Sequence, residues 1–386
     1  MHRHPRSSAL ILLTASVNAV MAAEPPVSDG ARIAASHTIV FDQPAAAVPT
    51  SGMPDGPLLG NGDLGVVQGG PPEALTFYLG KNDFWGIKTQ APMAVGQLHL
   101  GFPQLAGGSF RTAQDLRLAE LRGAFAKGDA ALDTRAWVDA NHNLFCVELA
   151  NAGTTPLAIA VSNLKGCGAA KGPSELRDSA SSAQPGSFLY DPDGPVAGSR
   201  KLGFASRMVG DATGPDFTLA PGKRVTIATA VLTDVEVPGK DPLAEAKGLV
   251  NGLTVESLAG LTSAHRQWWD AFWSRSFIEI PDKAIEQCWY ASWYIMASCS
   301  RAGKVAPGLW GNWITTDQPG WHGDFHLNYN FQAPFYGLYS SNHPETTLPF
   351  YDAMNQALPR GKRIAKERGW QGIHLPVSIG QWGMCP

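Results

Sequence analysis

Short apolar runs, separated by polar turn residues, fill the chain up to about residue 255. Ala74–Leu79, Leu144–Leu149 and Val225–Thr233 are typical runs, each short and rich in β-branched or aromatic residues. Gly, Pro, Asn and Asp stand between the runs, where strands would turn. Many short strands joined by such turns predict an antiparallel β-sandwich over residues 30–255.

From about residue 256 the apolar positions recur at helical spacing instead. Leu258–Arg275 has a dense aromatic face, which predicts a connecting helix within residues 256–280. A second helix is predicted over Lys283–Ser300, because apolar residues recur there every three or four positions. Those residues are Ile285, Trp289, Trp293 and Met296. Pro344 opens a third predicted helix, which we expect to break at Pro359.

The first 22 residues have the pattern of an export signal. A positive segment is followed by the apolar stretch Ala9–Val17, which is too short to span a bilayer. Val20, Met21 and Ala22 then give the small-residue pattern found before a cleavage point. We therefore expect a signal peptide at residues 1–22 and a secreted or periplasmic protein. No later stretch approaches ~18 uninterrupted apolar residues, so no membrane-spanning helix is expected.

Charge and cysteine usage argue against several classes of site and partner. The chain has 30 Lys and Arg against 33 Asp and Glu, and it has no basic stripe that would suit nucleic acid. Its five cysteines are odd in number and widely spaced, which is not the pattern of a disulfide framework. Neither CxxC nor HExxH occurs, so no strong zinc signal exists.

The candidate chemistry lies in the segment Gly308–Gln332, where polar and apolar residues alternate toward the end. The polar residues at even positions are Asp324, His326, Asn328, Asn330 and Gln332. If the segment is extended, all five share one face. If a helix starts near Asn328, then Asn328 and Gln332 still align at i and i+4. Amide, imidazole and carboxylate groups provide the donors and acceptors that sugar hydroxyls require; a solvated edge strand is the alternative.

Four tryptophans lie in Gly- and Pro-rich sequence within or beyond this segment: Trp310, Trp313, Trp321 and Trp382. Loop tryptophans with polar neighbours suit stacking on the apolar faces of sugars, whereas packing within the loops is the alternative. His322, Asp324 and His326 together could bind zinc. Their spacing matches no catalytic metal motif, so we expect no metal and no cofactor.

Four stretches resemble glycoside hydrolase family 95, whose members include inverting α-L-fucosidases. They are Leu59–Gly65 with Thr76–Trp85, Trp293–Arg301, Gly308–Gln332 and Gly372–Gly383. The resemblance implies a supersandwich at 30–255, a linker helix at 256–280 and a partial (α/α)6 barrel at 281–386. Ala333–Tyr336 stands where the family usually has Met-Asn-Tyr-Trp.

The same resemblance implies the function and the roles of the site residues. Asn328 and Asn330 match the asparagine pair that positions and activates the attacking water. His322, His374 and Trp382 are expected to bind substrate. The implied activity is inverting exo-hydrolysis of terminal α-L-fucose, or a related sugar, from oligosaccharides or polysaccharides. The alternatives are a non-catalytic carbohydrate-binding pseudoenzyme, a glycoside phosphorylase and a polysaccharide lyase.

Length bears on whether the barrel is complete. A six-hairpin barrel has twelve helices and needs at least ~200 residues, whereas residues 281–386 number 106. The family's general acid and its base-polarising aspartate lie beyond the matched stretches. We therefore expect a C-terminally truncated chain without significant glycosidase activity of its own.

Overall fold

The computed structural model of the protein describes residues 27–167, 177–179, 187–191, 193, 199–212 and 214–384. The expected signal peptide at residues 1–22 lies outside them. The described residues form two antiparallel sheets with most of the helices after them, which confirms the predicted fold class. None of the described helices is long and apolar enough to cross a membrane.

The sandwich consists of two sheets that enclose a common apolar core. Its strands are β1 Ile39–Phe41, β2 Leu58–Gly60, β3 Leu64–Gly69, β4 Ala74–Trp85, β5 Pro92–Gly101, β6 Ser109–Asp115, β7 Glu120–Lys127, β8 Ala130–Val138, β9 Leu144–Asn151, β10 Leu157–Lys165, β11 Arg177–Ser179, β12 Phe188–Tyr190, β13 Leu202–Gly210, β14 Asp216–Leu219 and β15 Arg224–Thr233. One sheet has the order β1-β6-β7-β8-β9-β15-β13-β12. The other has the order β11-β10-β5-β4-β3-β2, with β14 paired to β10. The rings of Phe77 and Phe145, from opposite sheets, lie 5.0 Å apart in the core.

Six α-helices accompany the sheets in the described part of the chain: α1 Asp29–Ser36, α2 Pro242–Asn251, α3 Val255–Trp273, α4 Lys283–Cys299, α5 Ala333–Ser340 and α6 Leu348–Glu367. Short 3-10 turns lie at Pro103–Leu105, Gly320–Gly323, Pro344–Thr347 and Gln381–Gly383. Helices α1 and α2 fall in the range predicted as strands. Both are short, and α2 is stabilised by burying Ala246 and Val250 against the sheet, a tertiary contact that local sequence does not reveal.

Helix α3 connects the sandwich to the later helices, as its aromatic face predicted. Thr254 and Ser257 form a capping box at its start. Trp269 and Trp273 are buried on the face toward the sandwich, and Trp273 Nε1 donates to the Leu116 carbonyl at 3.1 Å. The helix therefore belongs to the core and is not a free linker.

Helix α6 continues through Pro359, so the predicted break there is wrong. The proline is exposed, whereas Ala353, Ala357 and Ala365 are buried on the packed face. A proline inside a helix costs about 3 kcal/mol, and burial of this face offsets that cost. The chain starts this element with the 3-10 turn Pro344–Thr347 rather than with α-helix.

The motif Leu59–Gly65 brings the sandwich into contact with the later segments. A Cβ added at Gly60 would lie 2.3 Å from the Ser298 carbonyl oxygen, at the end of α4. One added at Gly65 would lie 2.5 Å from the carbonyl oxygen of Asn312. These glycines are needed because backbone meets backbone with no space for a side chain. The motif thus fixes the position of the loop that holds the candidate chemistry.

Candidate active site

A cavity of about 560 Å³ opens where the loop from Gly308 onward meets the sandwich. The residues that line it are Ser51, Gly52, Leu309, Trp310, Gly320, Trp321 and Asn330. Its volume lies in the range of about 300–1,000 Å³ that is common for small-molecule sites. Three residues singled out by the sequence, Trp310, Trp321 and Asn330, therefore share one cavity.

Hydrogen bonds hold one wall of the cavity in place. Trp310 Nε1 donates to the Gly320 carbonyl oxygen at 2.9 Å, which fixes the orientation of the indole. The Gly320 amide in turn donates to the Ser51 carbonyl oxygen at 2.6 Å. Ser51 and Gly52 come from the sandwich end of the chain, and no pattern in their local sequence indicated a role. Their contribution arises only from the contact between the two parts of the fold.

Three residues around the cavity adopt left-handed backbone conformations. The φ angles are +51° at Trp321, +57° at His322 and +40° at His326. Such angles are uncommon outside glycine and cost of order 1–3 kcal/mol each. They leave the Trp321 side chain 63% exposed, with the His326 ring 4.8 Å away. Backbone strain of this kind concentrates at ligand sites.

Asp324 lies beneath His326 and orients it. The carboxylate is 1% exposed, and its Oδ1 accepts from the His326 amide at 3.0 Å and contacts His326 Nδ1 at 2.9 Å. Ser378 Oγ donates to the other oxygen. Because an ionised carboxylate only accepts hydrogen bonds, Nδ1 carries the proton and Nε2 is left to face solvent or substrate. Sequence reasoning missed Ser378, which comes from a distant loop.

The polar row itself is neither a strand nor an early helix. Leu327–Gln332 forms consecutive turns, and α5 begins only at Ala333. The extended alternative is therefore wrong. In a strand, the odd-numbered Phe325, Tyr329 and Phe331 would share one face, yet Phe325 and Phe331 stack at 4.3 Å in the core whereas Tyr329 is 65% exposed. The five polar residues do not share one face.

The turns give the two asparagines and the glutamine different environments. Asn328 and Asn330 are exposed, and Asn330 lines the cavity. Gln332 is half-buried, and its Nε2 donates to the Leu327 carbonyl, which stabilises the turn from within. Within this row, the structure thus brings Asn330 to the cavity, places His326 beside it and uses Gln332 internally.

Four other predicted residues do not line this cavity. Trp313 is 2% exposed, and its Nε1 donates to the Leu59 carbonyl at 2.8 Å, so the structure places it in the core between the sandwich and the helices. His322 is exposed. His374 is half-buried, with its Nε2 3.2 Å from a guanidinium nitrogen of Arg368. Trp382 is half-buried.

The segment that holds this cavity is similar to known glycoside hydrolases. Residues 273–385 match the glycosyl hydrolase family 95 catalytic domain. The chain is 32% identical over 107 residues to Probable alpha-fucosidase A of Aspergillus niger, a match covering 24% of this chain and 14% of that protein. It is 34% identical over 74 residues to the protein of the same name from Aspergillus oryzae, covering 19% and 10%. The matches thus span a small part of the length of these relatives.

A solved structure shares the fold over most of the chain. It is described as a kojibiose phosphorylase from human microbiome, and it superposes with a TM-score of 0.55 at 12% identity. The superposition covers 89% of this chain and 51% of that chain. At this identity the likeness concerns architecture alone, and it supports the order of a sandwich followed by helices.

Proposed function

We propose that the protein is an inverting exo-glycosidase that removes terminal α-L-fucose or a related sugar from glycans, because residues 273–385 match the glycosyl hydrolase family 95 catalytic domain. The observation that carries this proposal is the cavity in which Asn330 lies with Trp310 and Trp321. An exposed amide beside indole rings suits a sugar, because the rings stack on C–H faces while the amide bonds hydroxyls or water.

In this proposal the asparagines position the attacking water. An inverting glycosidase needs an activated water on one face of the sugar and a carboxylic acid on the other. Asn330 supplies an amide oxygen in the cavity, and Asn328 lies two residues earlier on the same exposed turn. Asp324 is poorly suited to act as the acid, because its oxygens accept from His326 and Ser378. It instead holds His326 with Nε2 available to the substrate.

The substrate assay uses the product of the complete reading frame that contains these residues. We expect release of free sugar from an aryl α-L-fucoside, an aryl α-L-galactoside or a fucosylated oligosaccharide in phosphate-free buffer. Proton NMR of the first product should show the inverted anomer. Release that requires phosphate would indicate a phosphorylase, and an unsaturated, ultraviolet-absorbing product would indicate a lyase. Saturable binding without turnover on any of the three would contradict the proposal in favour of a pseudoenzyme.

Replacing Asp324 with asparagine tests the positioning of His326. The amide keeps the shape of the side chain but removes the charge, which weakens the hydrogen bond from Nδ1. We expect kcat/KM to fall roughly tenfold and nitrogen NMR to show that the His326 proton is no longer confined to Nδ1. The exposed Asp352 on α6 gives the matched control, Asp352→Asn. An unchanged tautomer together with unchanged kcat/KM would assign Asp324 a purely structural role.

We further propose that residues 1–22 direct export and that the mature protein is secreted or periplasmic. The support is the positive segment, the apolar stretch Ala9–Val17 and the small-residue pattern ending at Ala22. N-terminal sequencing of protein recovered from the medium or periplasm should begin just after Ala22. Recovered protein that starts at Met1 would contradict this.

A further inference from the structure

A second concave surface lies on the outward face of the eight-stranded sheet and shares no lining residue with the cavity described above. Helices α2 and α3 cover one part of this face, where Trp137, Cys146 and Ala228 are buried. The uncovered part encloses about 610 Å³. We call it the arginine groove, and its charged lining residues are Arg111, Arg122, Asp133, Arg135, Glu148 and Arg224.

Strand pairing sets these residues in two rows. Arg122, Arg135 and Glu148 are direct partners across β7, β8 and β9. The second row crosses five strands in the order Arg111, Ala124, Asp133, Ala150 and Arg224. Residues two apart on a strand share a face, so both rows point outward. The second row spans four strand spacings, about 19 Å. The small side chains of its two alanines leave space above the sheet between the terminal arginines.

The groove is locally positive on a chain whose formal net charge is −3. Four arginines and two carboxylates line the groove. Glu148 bridges Arg135 at 3.5 Å and Arg224 at 3.1 Å, and Arg122 pairs with Glu120, outside the lining, at 2.8 Å. Arg111 has no ion-pair partner among the residues that the structure describes. Arg224 is 68% exposed, so its guanidinium can turn toward a ligand. The two ends of the second row therefore offer guanidinium groups to an anion.

We propose that the arginine groove binds an anionic oligosaccharide, one whose sugars carry sulfate or carboxylate groups. Guanidinium groups pair with such oxyanions through two parallel hydrogen bonds. The separation of Arg111 and Arg224 requires an extended ligand rather than a single inorganic ion. Asp133, at the centre, would repel a continuous phosphate backbone but accepts hydrogen bonds from neutral sugar hydroxyls. The groove is thus a glycan-binding site that does not depend on the proposed hydrolysis.

The experiment measures binding by titration calorimetry at about 0.15 M salt, where long-range attraction is screened. The probes are length-matched oligosaccharides of sulfated galactan, polygalacturonate and neutral galactan, together with inorganic sulfate and a short DNA duplex. Arg111→Gln with Arg224→Gln removes the terminal charges. Ala124→Trp fills the exposed space above the sheet without changing charge. Arg32→Gln with Arg363→Gln is the control, since it removes two exposed, ion-paired arginines elsewhere.

We expect the unaltered protein to bind an anionic oligosaccharide and not the neutral one. Both groove variants should weaken that binding roughly tenfold to a hundredfold, while the control double variant binds as before and all keep their circular dichroism. Comparison of the sulfated and carboxylated probes identifies the preferred anion. Equal binding of the DNA duplex, or full binding by the Ala124→Trp protein, would show a diffuse charge effect and overturn the proposal. Binding of inorganic sulfate as tightly as the oligosaccharide would also overturn it.

Discussion

Replacement of Asn330 by alanine is expected to lower kcat on an α-L-fucoside by about 10²–10⁴-fold, in the product of the complete reading frame. The physical reason is that an inverting reaction depends on a water held at the correct face of the sugar. Asn330 is the polar side chain of the proposed pair that lines the cavity. Its loss leaves the indole walls intact, so substrate should still bind and KM should change far less than kcat.

The matched control for this measurement is Asn355→Ala, because Asn355 is an exposed asparagine on α6. Both variants should unfold at the temperature of the unaltered protein, since neither side chain is buried. If Asn330→Ala retains full kcat while remaining folded, Asn330 has no part in activating the water. The role proposed for the turn would then rest on Asn328 alone.

Replacement of Lys81 by methionine is expected to destabilise the fold by about 3–5 kcal/mol. Lys81 is 0% exposed, and its Nζ lies 2.6 Å from Asp63, 3.0 Å from Asp83 and 2.8 Å from Glu236. These three carboxylates are grouped closely enough to hold a metal ion, yet the ammonium group already lies among them. Removing it leaves the buried carboxylates with only the more distant Lys304, whose Nζ lies 3.6 Å from Asp63 and 3.9 Å from Glu236, as a nearby cation. This loss costs more than the methionine gains by packing.

The loss of stability caused by Lys81→Met should grow as the pH rises. Burial raises the pKa of Asp83 to about 7, and the neighbouring Asp63 charge adds to the rise. Because the folded state holds this proton more tightly than the unfolded chain, the contribution of Asp83 to stability falls as pH rises from about 4 to 7. Without Lys81 the carboxylates are harder still to ionise. The free energy of unfolding of the variant should therefore fall further below that of the unaltered protein at pH 8 than at pH 5.

Urea unfolding at the two pH values checks this, with Lys362→Met as the control because Lys362 is exposed on α6. We expect the control to change the free energy of unfolding by less than about 0.5 kcal/mol. If the urea midpoint of Lys81→Met coincides with that of the control at both pH values, water or a rearrangement of the side chains stabilises the carboxylates in place of Lys81. The ion cluster would then contribute nothing to stability.

The features that sequence predicted are those set by local periodicity. The turn-punctuated apolar runs predicted the sandwich, and the aromatic face of Leu258–Arg275 predicted that α3 connects it to the helices. Trp269 and Trp273 are buried because helical spacing brings them to one side of that helix. Such patterns depend on neighbours within a few residues, so they are visible in one sequence.

The arrangement of the candidate site depends on contacts that are distant in the chain. Trp313 and Trp321 lie in similar glycine-rich sequence, yet one is buried and the other exposed, because only Trp313 reaches the Leu59 carbonyl. The alternating polar row suggested a strand, but the Phe325 amide bonds the Ile379 carbonyl at 2.9 Å and the chain then turns. Partners more than fifty residues away decided both outcomes.

The backbone contact at Gly60 and Gly65 has a consequence for motion and for engineering. Because the main chain of the sandwich touches Ser298 and Asn312 at these points, we expect little rotation of the sandwich against the helices. A hinge of the kind that opens and closes many clefts is therefore not expected here, and calorimetry should record one cooperative melting transition for both. Ser51 and Gly52 of the sandwich form part of the cavity wall. Fusing the helical region to a different domain in place of the sandwich would therefore remove that wall, together with the glycine contacts that position the loop.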